Sequence, residues 1–366
     1  MADNNKEYST GGNNSFDLFD AFDSMPSAPQ ETVSKPIEEK KPEIKAEKSA
    51  SEIKTEEPKP VKKSSPFAAL CIVLCVAIVL CGCLSFININ KYKKNTASSE
   101  EDFSGYNIYA DMVAKYDAAN YPAGIQEKLI KAFSANDDLT GWLYIPGTAV
   151  NTPIVQSKDN TYYLRNNFFS SNTNYGTAYA DSRCRKDTLS TNLVIYGHNM
   201  PSGTHFYDVS RYEDIEWYKK HPVIKYSNLT GEYTYLVYAA FYTTAQTKYN
   251  GNYFFNYILP NMGPKSLGGY IEQINERAIY KTGIDANSSD KLITLSTCTH
   301  SLDAACGLDL DGRLVVVGRL LREGESEDID TSKAKDNPDY LRPLIWYTKT
   351  GTKNTHKVVK WIPSAE

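Results

Sequence analysis

Three residues whose side chains could act together in catalysis stand at the ends of predicted strands. Cys298 ends the apolar stretch 292–298 (LITLSTC), His198 comes just after another apolar run, and Arg313 opens a third. Aliphatic and β-branched residues without helical spacing are typical of buried strands. A thiol can act as a nucleophile, an imidazole as an acid or base, and a guanidinium as a fixed cation for an oxyanion. The three residue types therefore indicate nucleophilic catalysis, if the strand ends meet.

The same motifs resemble those of the sortase family. The stretches 294–298 (TLSTC) and 196–199 (YGHN), with Arg313 at the start of the next strand, stand in the order found in that family. Sortases are membrane-anchored cysteine transpeptidases of Gram-positive bacteria, and the resemblance covers residues 105–322. It implies that Cys298 cleaves the sorting signal of a surface protein after threonine. The resulting thioacyl enzyme would be resolved by an amine of a cell-wall precursor or of a pilin.

The resemblance also assigns roles to the other two residues. His198 would protonate the leaving amine and deprotonate the incoming one, which requires a pKa near the working pH. Arg313 would act electrostatically, because a guanidinium does not give up its proton. From the residues alone, His300 and His205 are alternatives for the acid and base, and Arg319 is an alternative for the cation.

For substrate binding, the resemblance places Asn160 and Leu164 in the groove for the signal peptide. It places Ser296 and Thr299 beside the thiol. Judged by residue type alone, a position in the apolar core is as consistent with Leu164 as a position in the groove. Alternation along the strand points Thr297 inward.

Composition narrows the classes of function. The chain has 366 residues and a net charge of −4, so nucleic acid is not expected as a partner. Outside one apolar stretch the cysteines are Cys184, Cys298 and Cys306, an odd and sparse set that predicts no disulfide framework. Whether Cys184 pairs with Cys306 is left open. The connection 299–312 lacks the regular oxygen spacing of a calcium loop and a fourth zinc ligand, so we predict no metal and no cofactor.

Three segments precede the predicted catalytic domain. Residues 1–65 are polar, carry mixed charge and contain few aliphatic residues, which predicts a disordered tail. Residues 66–88 form an apolar segment long enough to span a bilayer as a helix, and residues 89–104 form a linker. Lysines flank the apolar segment evenly, so they predict no orientation. The resemblance implies a single-pass protein of the cell membrane, with a cytoplasmic N-terminus and an extracellular catalytic domain.

The catalytic domain, residues 105–322, is predicted to be mainly β. Helical spacing predicts one helix over 106–117 and a second from Pro122 to near Asn136. Many short strands separated by turns predict a barrel or a sandwich. The predicted strands are 141–145, 150–155, 176–181, 193–196, 223–226, 233–242, 293–297 and 314–321.

A further helix is predicted within 270–280, just before the cysteine strand. Two N-terminal helices and such an inserted helix are features that resemble class B sortases, as does the stretch 159–164 (DNTYYL). The resemblance therefore implies a closed eight-stranded barrel of the sortase type.

Residues 323–366 lie beyond the resemblance. An acidic linker is followed by two apolar stretches, 344–347 and 358–362, on either side of 351–354 (GTKN), which predicts a hairpin. Two other functions stay open at this point. One is a cysteine peptidase whose acceptor is water, and the other is a non-catalytic scaffold for surface or pilus assembly.

Overall fold

The computed structural model describes residues 121–357 and 360–364. The predicted tail, membrane helix, linker and first N-terminal helix (106–117) lie outside these ranges. Among the helices described, none is long and apolar enough to cross a membrane. All described residues belong to one compact unit of the chain.

Eight strands close into a mixed β-barrel, in the order β1-β2-β3-β4-β8-β9-β6-β5. The pairs β2–β3 and β4–β8 are parallel, and the other neighbours are antiparallel. The predicted closed eight-stranded barrel is confirmed. The barrel strands are β1 (Leu139–Tyr144), β2 (Asn151–Val155), β3 (Tyr179–Ala180), β4 (Asn192–Tyr196), β5 (Val223–Asn228), β6 (Glu232–Thr244), β8 (Leu292–Cys298) and β9 (Gly312–Leu320). Two short strands outside the barrel, β7 (Tyr280–Lys281) and β10 (Lys335–Asp336), pair with each other.

The two strands that carry the cysteine and the arginine lie deep in the fold. β8 and β9 are buried over nearly their whole length, on both faces. Strands covered on both faces have no need of alternating polar residues. Burial on both faces therefore explains why each reads as a continuous apolar run.

Seven α-helices are described, and two of them correspond to predicted helices. The helices are α1 (Glu127–Ala135), α2 (Tyr162–Arg165), α3 (Tyr207–Ser210), α4 (Ile215–Lys220), α5 (Pro264–Arg277), α6 (Ser301–Cys306) and α7 (Leu344–Thr350). α1 is the predicted second N-terminal helix, and α5 is the predicted inserted helix. α5 begins earlier than predicted, with Pro264 at its first position, where a missing N–H costs nothing. It ends at Arg277, because Ile279 bonds to β6 through the Ala240 carbonyl instead of continuing the helix.

The predicted C-terminal hairpin is wrong. Residues 344–347 begin helix α7 instead of forming a strand. Ile345 and Trp346 pack against an apolar cluster of Leu302, Cys306 and Leu310, which lies on and just after α6. A nearby apolar surface therefore decides the conformation of this stretch. Gly351, with φ 69°, then ends the helix in the left-handed region that favours glycine.

Residues 323–357 and 360–364, called here the C-terminal strap, run back over the inserted helix. The Trp361 ring lies 5.9 Å from that of Phe255 and 5.6 Å from that of Tyr270, measured between centroids. The Tyr253 hydroxyl accepts from the Trp361 N–H at 3.0 Å. At the end of the strap, the Ser364 N–H donates to Ser266 at 3.0 Å. The strap thus packs on α5 through its last residues and on α6 through α7.

Candidate active site

Strand pairing brings the thiol, the imidazole and the guanidinium together. β4 and β8 are parallel neighbours, with Tyr196 opposite Ser296. His198 and Cys298 each stand two residues further on, so they lie at the same end of the barrel. Cys298 is in turn the antiparallel partner of Arg313 on β9. Strand pairing therefore places the three residues at the same end of the barrel.

His198, Cys298 and Arg313 all line one small cavity. It measures about 10 Å³, which is room for about one water molecule. The residues that line the cavity are Leu164, Tyr179, Tyr196, Gly197, His198, Ser296, Thr297, Cys298 and Arg313.

His198 is held by two hydrogen bonds with backbone groups. Its Nε2 lies 3.2 Å from the Leu164 carbonyl oxygen, and its own carbonyl accepts from the Phe206 N–H at 2.9 Å. Beside it, Asn199 Nδ2 donates to the Cys298 carbonyl at 3.0 Å, which ties the end of β4 to the end of β8. Burial lowers the pKa of His198 below its ordinary value of 6.5, and the bond to Leu164 opposes that shift only in part.

The two alternative histidines do not line the cavity. His300 is solvent-exposed and lies 3.7 Å from the Asp303 carboxylate. His205 lies partly buried in the loop after His198 and has a left-handed backbone, with φ 56°. It pairs with Asn199 in an isolated antiparallel β-bridge. Among the histidines described, the geometry therefore favours His198 for proton transfer at Cys298.

Cys298 is partly exposed as a residue, and its thiol is mainly protonated near neutral pH. Burial raises its pKa above the ordinary value of 9.0. The positive charge of Arg313 opposes that rise, while the carboxylates of Asp311 and Asp303 add to it. With the pKa of His198 lowered, thiol and neutral imidazole are the prevailing pair, and thiolate with imidazolium is the minor one.

Arg313 is 3 % exposed and is held by the residues just before it. Its Nη1 donates to the Asp311 carboxylate, and also to the Asp311 and Gly312 carbonyls at 3.2 and 3.3 Å. Asp311 has a left-handed backbone, φ 50°, a conformation that aspartate tolerates better than most residues. Burial opposes the charge, but the neighbouring Cys298 and Asp311 raise the pKa of Arg313, so it stays a cation.

Arg319, the alternative cation, lies further along β9 and does not line the cavity. It is 2 % exposed and forms an ion pair with Glu325. Its Nε donates to the Asp285 carbonyl at 3.0 Å. These contacts place Arg319 between β9 and the start of the strap, away from the thiol.

The four predicted substrate residues divide into two pairs. Leu164 and Ser296 line the cavity. Asn160 does not; its Nδ2 donates to Asp181 at 3.2 Å, and its Oδ1 accepts from the Ser182 N–H at 2.7 Å. Thr299 is buried beyond the thiol and its N–H donates to the Gly312 carbonyl at 2.9 Å. The substrate-binding roles of all four stay predictions.

Sequence reasoning missed the tyrosines that surround the cavity. Tyr257 shares a hydrogen bond of 2.9 Å with the Ser296 hydroxyl, and its carbonyl accepts from the Tyr270 hydroxyl of α5 at 3.0 Å. The inserted helix thus supports the cysteine strand from behind. Thr297, which was predicted to point inward, is buried and lines the cavity, and its hydroxyl donates to the Gly197 carbonyl at 2.8 Å. The chain is rich in tyrosine, with 27 residues, but this abundance does not show which of them face the site.

The raised pKa of Cys298 predicts the pH dependence of its alkylation. Only the thiolate reacts with iodoacetamide, and its fraction increases about tenfold per pH unit below the pKa. We therefore expect the rate of Cys298 alkylation to rise steadily with pH and to show no plateau below the ordinary value of 9.0. The measurement is the second-order rate of adduct formation on the proteolytic peptide that contains Cys298, followed by mass spectrometry, with Cys298→Ala as the control for labelling of the other cysteines. A plateau already at neutral pH would show a preformed thiolate and contradict the prediction.

Comparisons with known proteins agree with this geometry. A family model described as Sortase domain matches residues 143–321. Sortase B of Listeria monocytogenes is 31% identical over 220 residues, which cover 58% of this chain and 84% of that protein. Sortase B of Staphylococcus aureus is 26% identical over 187 residues, which cover 51% of this chain and 72% of that protein.

The fold is also that of a solved sortase. The structure titled Staphylococcus aureus sortase B-substrate complex is similar to this one, with a TM-score of 0.50 at 22% identity. The similarity covers 63% of this chain and 98% of that one. The barrel, the site and these relatives lead to one conclusion: the chain belongs to the sortase family and is a sortase-type transpeptidase of class B.

Proposed function

We propose that this transpeptidase cleaves the sorting signal of surface proteins after threonine and transfers the acyl group to a cell-wall amine. The observation that carries the proposal is that Cys298, His198 and Arg313 line one cavity. A nucleophile, a proton carrier and a fixed cation are the groups that acyl transfer through a thioester requires.

In the first half-reaction, the Cys298 sulfur attacks the threonine carbonyl carbon and the thiol proton moves to His198. Charge develops on the carbonyl oxygen, and Arg313 stabilises it. The carbon–nitrogen bond then breaks, and the imidazolium gives its proton to the leaving amine. A thioester on Cys298 and a free amine result.

In the second half-reaction, the acceptor amine attacks the thioester. His198 takes a proton from the amine, the carbon–sulfur bond breaks, and the thiol is restored. The hydrogen bond of His198 suggests which nitrogen acts. A carbonyl oxygen only accepts, so Nε2 carries a proton toward Leu164 in the neutral ring and Nδ1 is the basic nitrogen.

Thioester chemistry supports transfer to an amine over hydrolysis, because an amine is a better nucleophile toward a thioester than water. For the same enzyme to act on the cell wall, residues 66–88 would anchor it in the membrane with the catalytic domain outside. The substrates are then surface proteins, and the acceptor is an amine of a cell-wall precursor or of a pilin.

The test is a product analysis with the purified full-length chain. Peptides with a Thr–Gly or Thr–Asn bond are incubated with and without triglycine, and products and protein are analysed by mass spectrometry. We expect a peptide–triglycine conjugate as the main product when triglycine is present, and a thioacyl adduct on Cys298 when it is absent.

Two other outcomes identify the alternative functions. Free threonine carboxylate as the only product, with triglycine present, would show a peptidase. If no peptide forms an adduct and a thiol-reactive substrate mimic also fails to label Cys298, the result would favour the non-catalytic scaffold.

A further inference from the structure

Three tyrosines lie at or beside the site, and the hydroxyl of one of them has no partner among the described residues. The Tyr196 hydroxyl donates to the Asp181 carboxylate at 2.7 Å, and the Tyr257 hydroxyl pairs with Ser296. Tyr179 is 2 % exposed, and no group among the described residues forms a hydrogen bond with its hydroxyl. A buried hydroxyl without a partner is costly, because it has given up its bonds to water.

Tyr179 is held in place by its strand. It lies on β3, opposite Tyr196 on β4, and the two rings are 5.2 Å apart. Its side chain lines the same cavity as Cys298 and Arg313.

The hydroxyl of Tyr179 stays protonated in the folded protein. Burial and the Asp181 carboxylate raise the pKa of Tyr179 well above 10.0, while the charge of Arg313 lowers it and that of Cys298 raises it. The hydroxyl therefore keeps its proton throughout the working pH range and is available as a hydrogen-bond donor. Among the described residues, no group accepts a hydrogen bond from the Tyr179 hydroxyl.

We propose, on the basis of the function proposed above, that Tyr179 is a further catalytic residue that donates its hydroxyl hydrogen bond to the acyl oxygen of the substrate. That oxygen becomes negative when Cys298 attacks, so the bond strengthens in the transition state. The phenol keeps its proton, and no bond to it is made or broken. Arg313 supplies charge to the oxyanion, and Tyr179 supplies a neutral donor that is already desolvated.

The test compares Tyr179→Phe with Tyr235→Phe in the full-length chain. Tyr235, on β6, is a matched control because it is 0 % exposed and its hydroxyl also has no partner among the described residues, yet it does not line the cavity. We expect Tyr179→Phe to lower kcat for thioacyl formation about 10- to 100-fold, with KM changed less than about twofold. Tyr235→Phe should keep the wild-type kcat. Both variants should keep or slightly raise Tm, since each removes only an unpartnered hydroxyl.

Three results would overturn the inference, and they have different meanings. Wild-type kinetics in Tyr179→Phe would exclude the hydroxyl from catalysis and leave the proposed function intact. Equal losses of kcat in both variants, with a lower Tm, would show a structural role alone. A wild-type chain that forms no thioacyl adduct on Cys298 would overturn the proposed function and this inference together.

Discussion

Replacement of Cys298 by alanine is expected to abolish both peptide cleavage and transfer, with kcat/KM at least about 10⁴-fold below wild type. The reaction proceeds through a covalent thioester, and alanine offers no atom to form it. His198 and Arg313 would remain in place, but they would have no acyl enzyme to act on. The measurement is the rate of conjugate formation from the best peptide of the panel, with the intact mass of the protein as a second readout.

No other thiol of the described residues can take over this role. Cys184 and Cys306 are buried, and neither lines the cavity. Burial raises the pKa of Cys184 to about 12, so its thiolate is scarce at any working pH. Cys184→Ala therefore makes a matched control, one buried sulfur removed without a change at the site, and we expect it to react at the wild-type rate. Residual turnover of Cys298→Ala above about 1% of wild type would reveal a second nucleophile and contradict the mechanism.

Much of the barrel could be predicted, because its strands are apolar runs bounded by turns. The pairing of these strands explains why the site residues lie together. β4 and β8 are parallel neighbours, so an imidazole and a thiol at equal distances past the paired residues Tyr196 and Ser296 must lie at the same edge. β9 pairs antiparallel with β8, and this pairing places Arg313 opposite Cys298.

What could not be predicted depends on contacts between distant parts of the chain. The apolar run at 344–347 has the composition of a strand, but it folds as a helix on the Leu302 cluster, which no local pattern reveals. The helix α6, within the connection 299–312, was missed because its six residues are too few to show helical spacing. The role of Asp311 as partner of Arg313 was missed for another reason. In the sequence, Asp311 is a carboxylate in a polar loop and cannot be distinguished from an ordinary surface residue. In the structure, its left-handed backbone brings the carboxylate within hydrogen-bond distance of the Arg313 guanidinium.

Substitution of Arg313 by lysine is expected to lower kcat about 10²- to 10³-fold, although the positive charge is retained. Lysine replaces a planar fork of donors by a single ammonium group, so it cannot serve Asp311 and the oxyanion in the same way. The Asp311 carboxylate would draw the shorter cation toward itself and away from the acyl oxygen. KM should change little, because the lost interaction is made mainly in the transition state. The measurement is single-turnover formation of the thioacyl adduct, with Tm recorded in parallel.

Arg319→Lys is the matched control, since it changes a second buried arginine on the same strand. Arg319 bonds to Glu325 and to the Asp285 carbonyl and does not line the cavity. Lysine there should therefore lower Tm and leave kcat for the folded fraction at the wild-type value.

The opposite pattern would be a large loss of kcat in Arg319→Lys with little change in Arg313→Lys. That result would show that Arg313 is not the arginine that stabilises the oxyanion. A fall in Tm explains lost activity in either variant only if it unfolds the protein at the assay temperature, so the comparison is made well below both transitions. Under that condition, the difference in kcat between the two variants isolates what the guanidinium beside Cys298 does in the reaction.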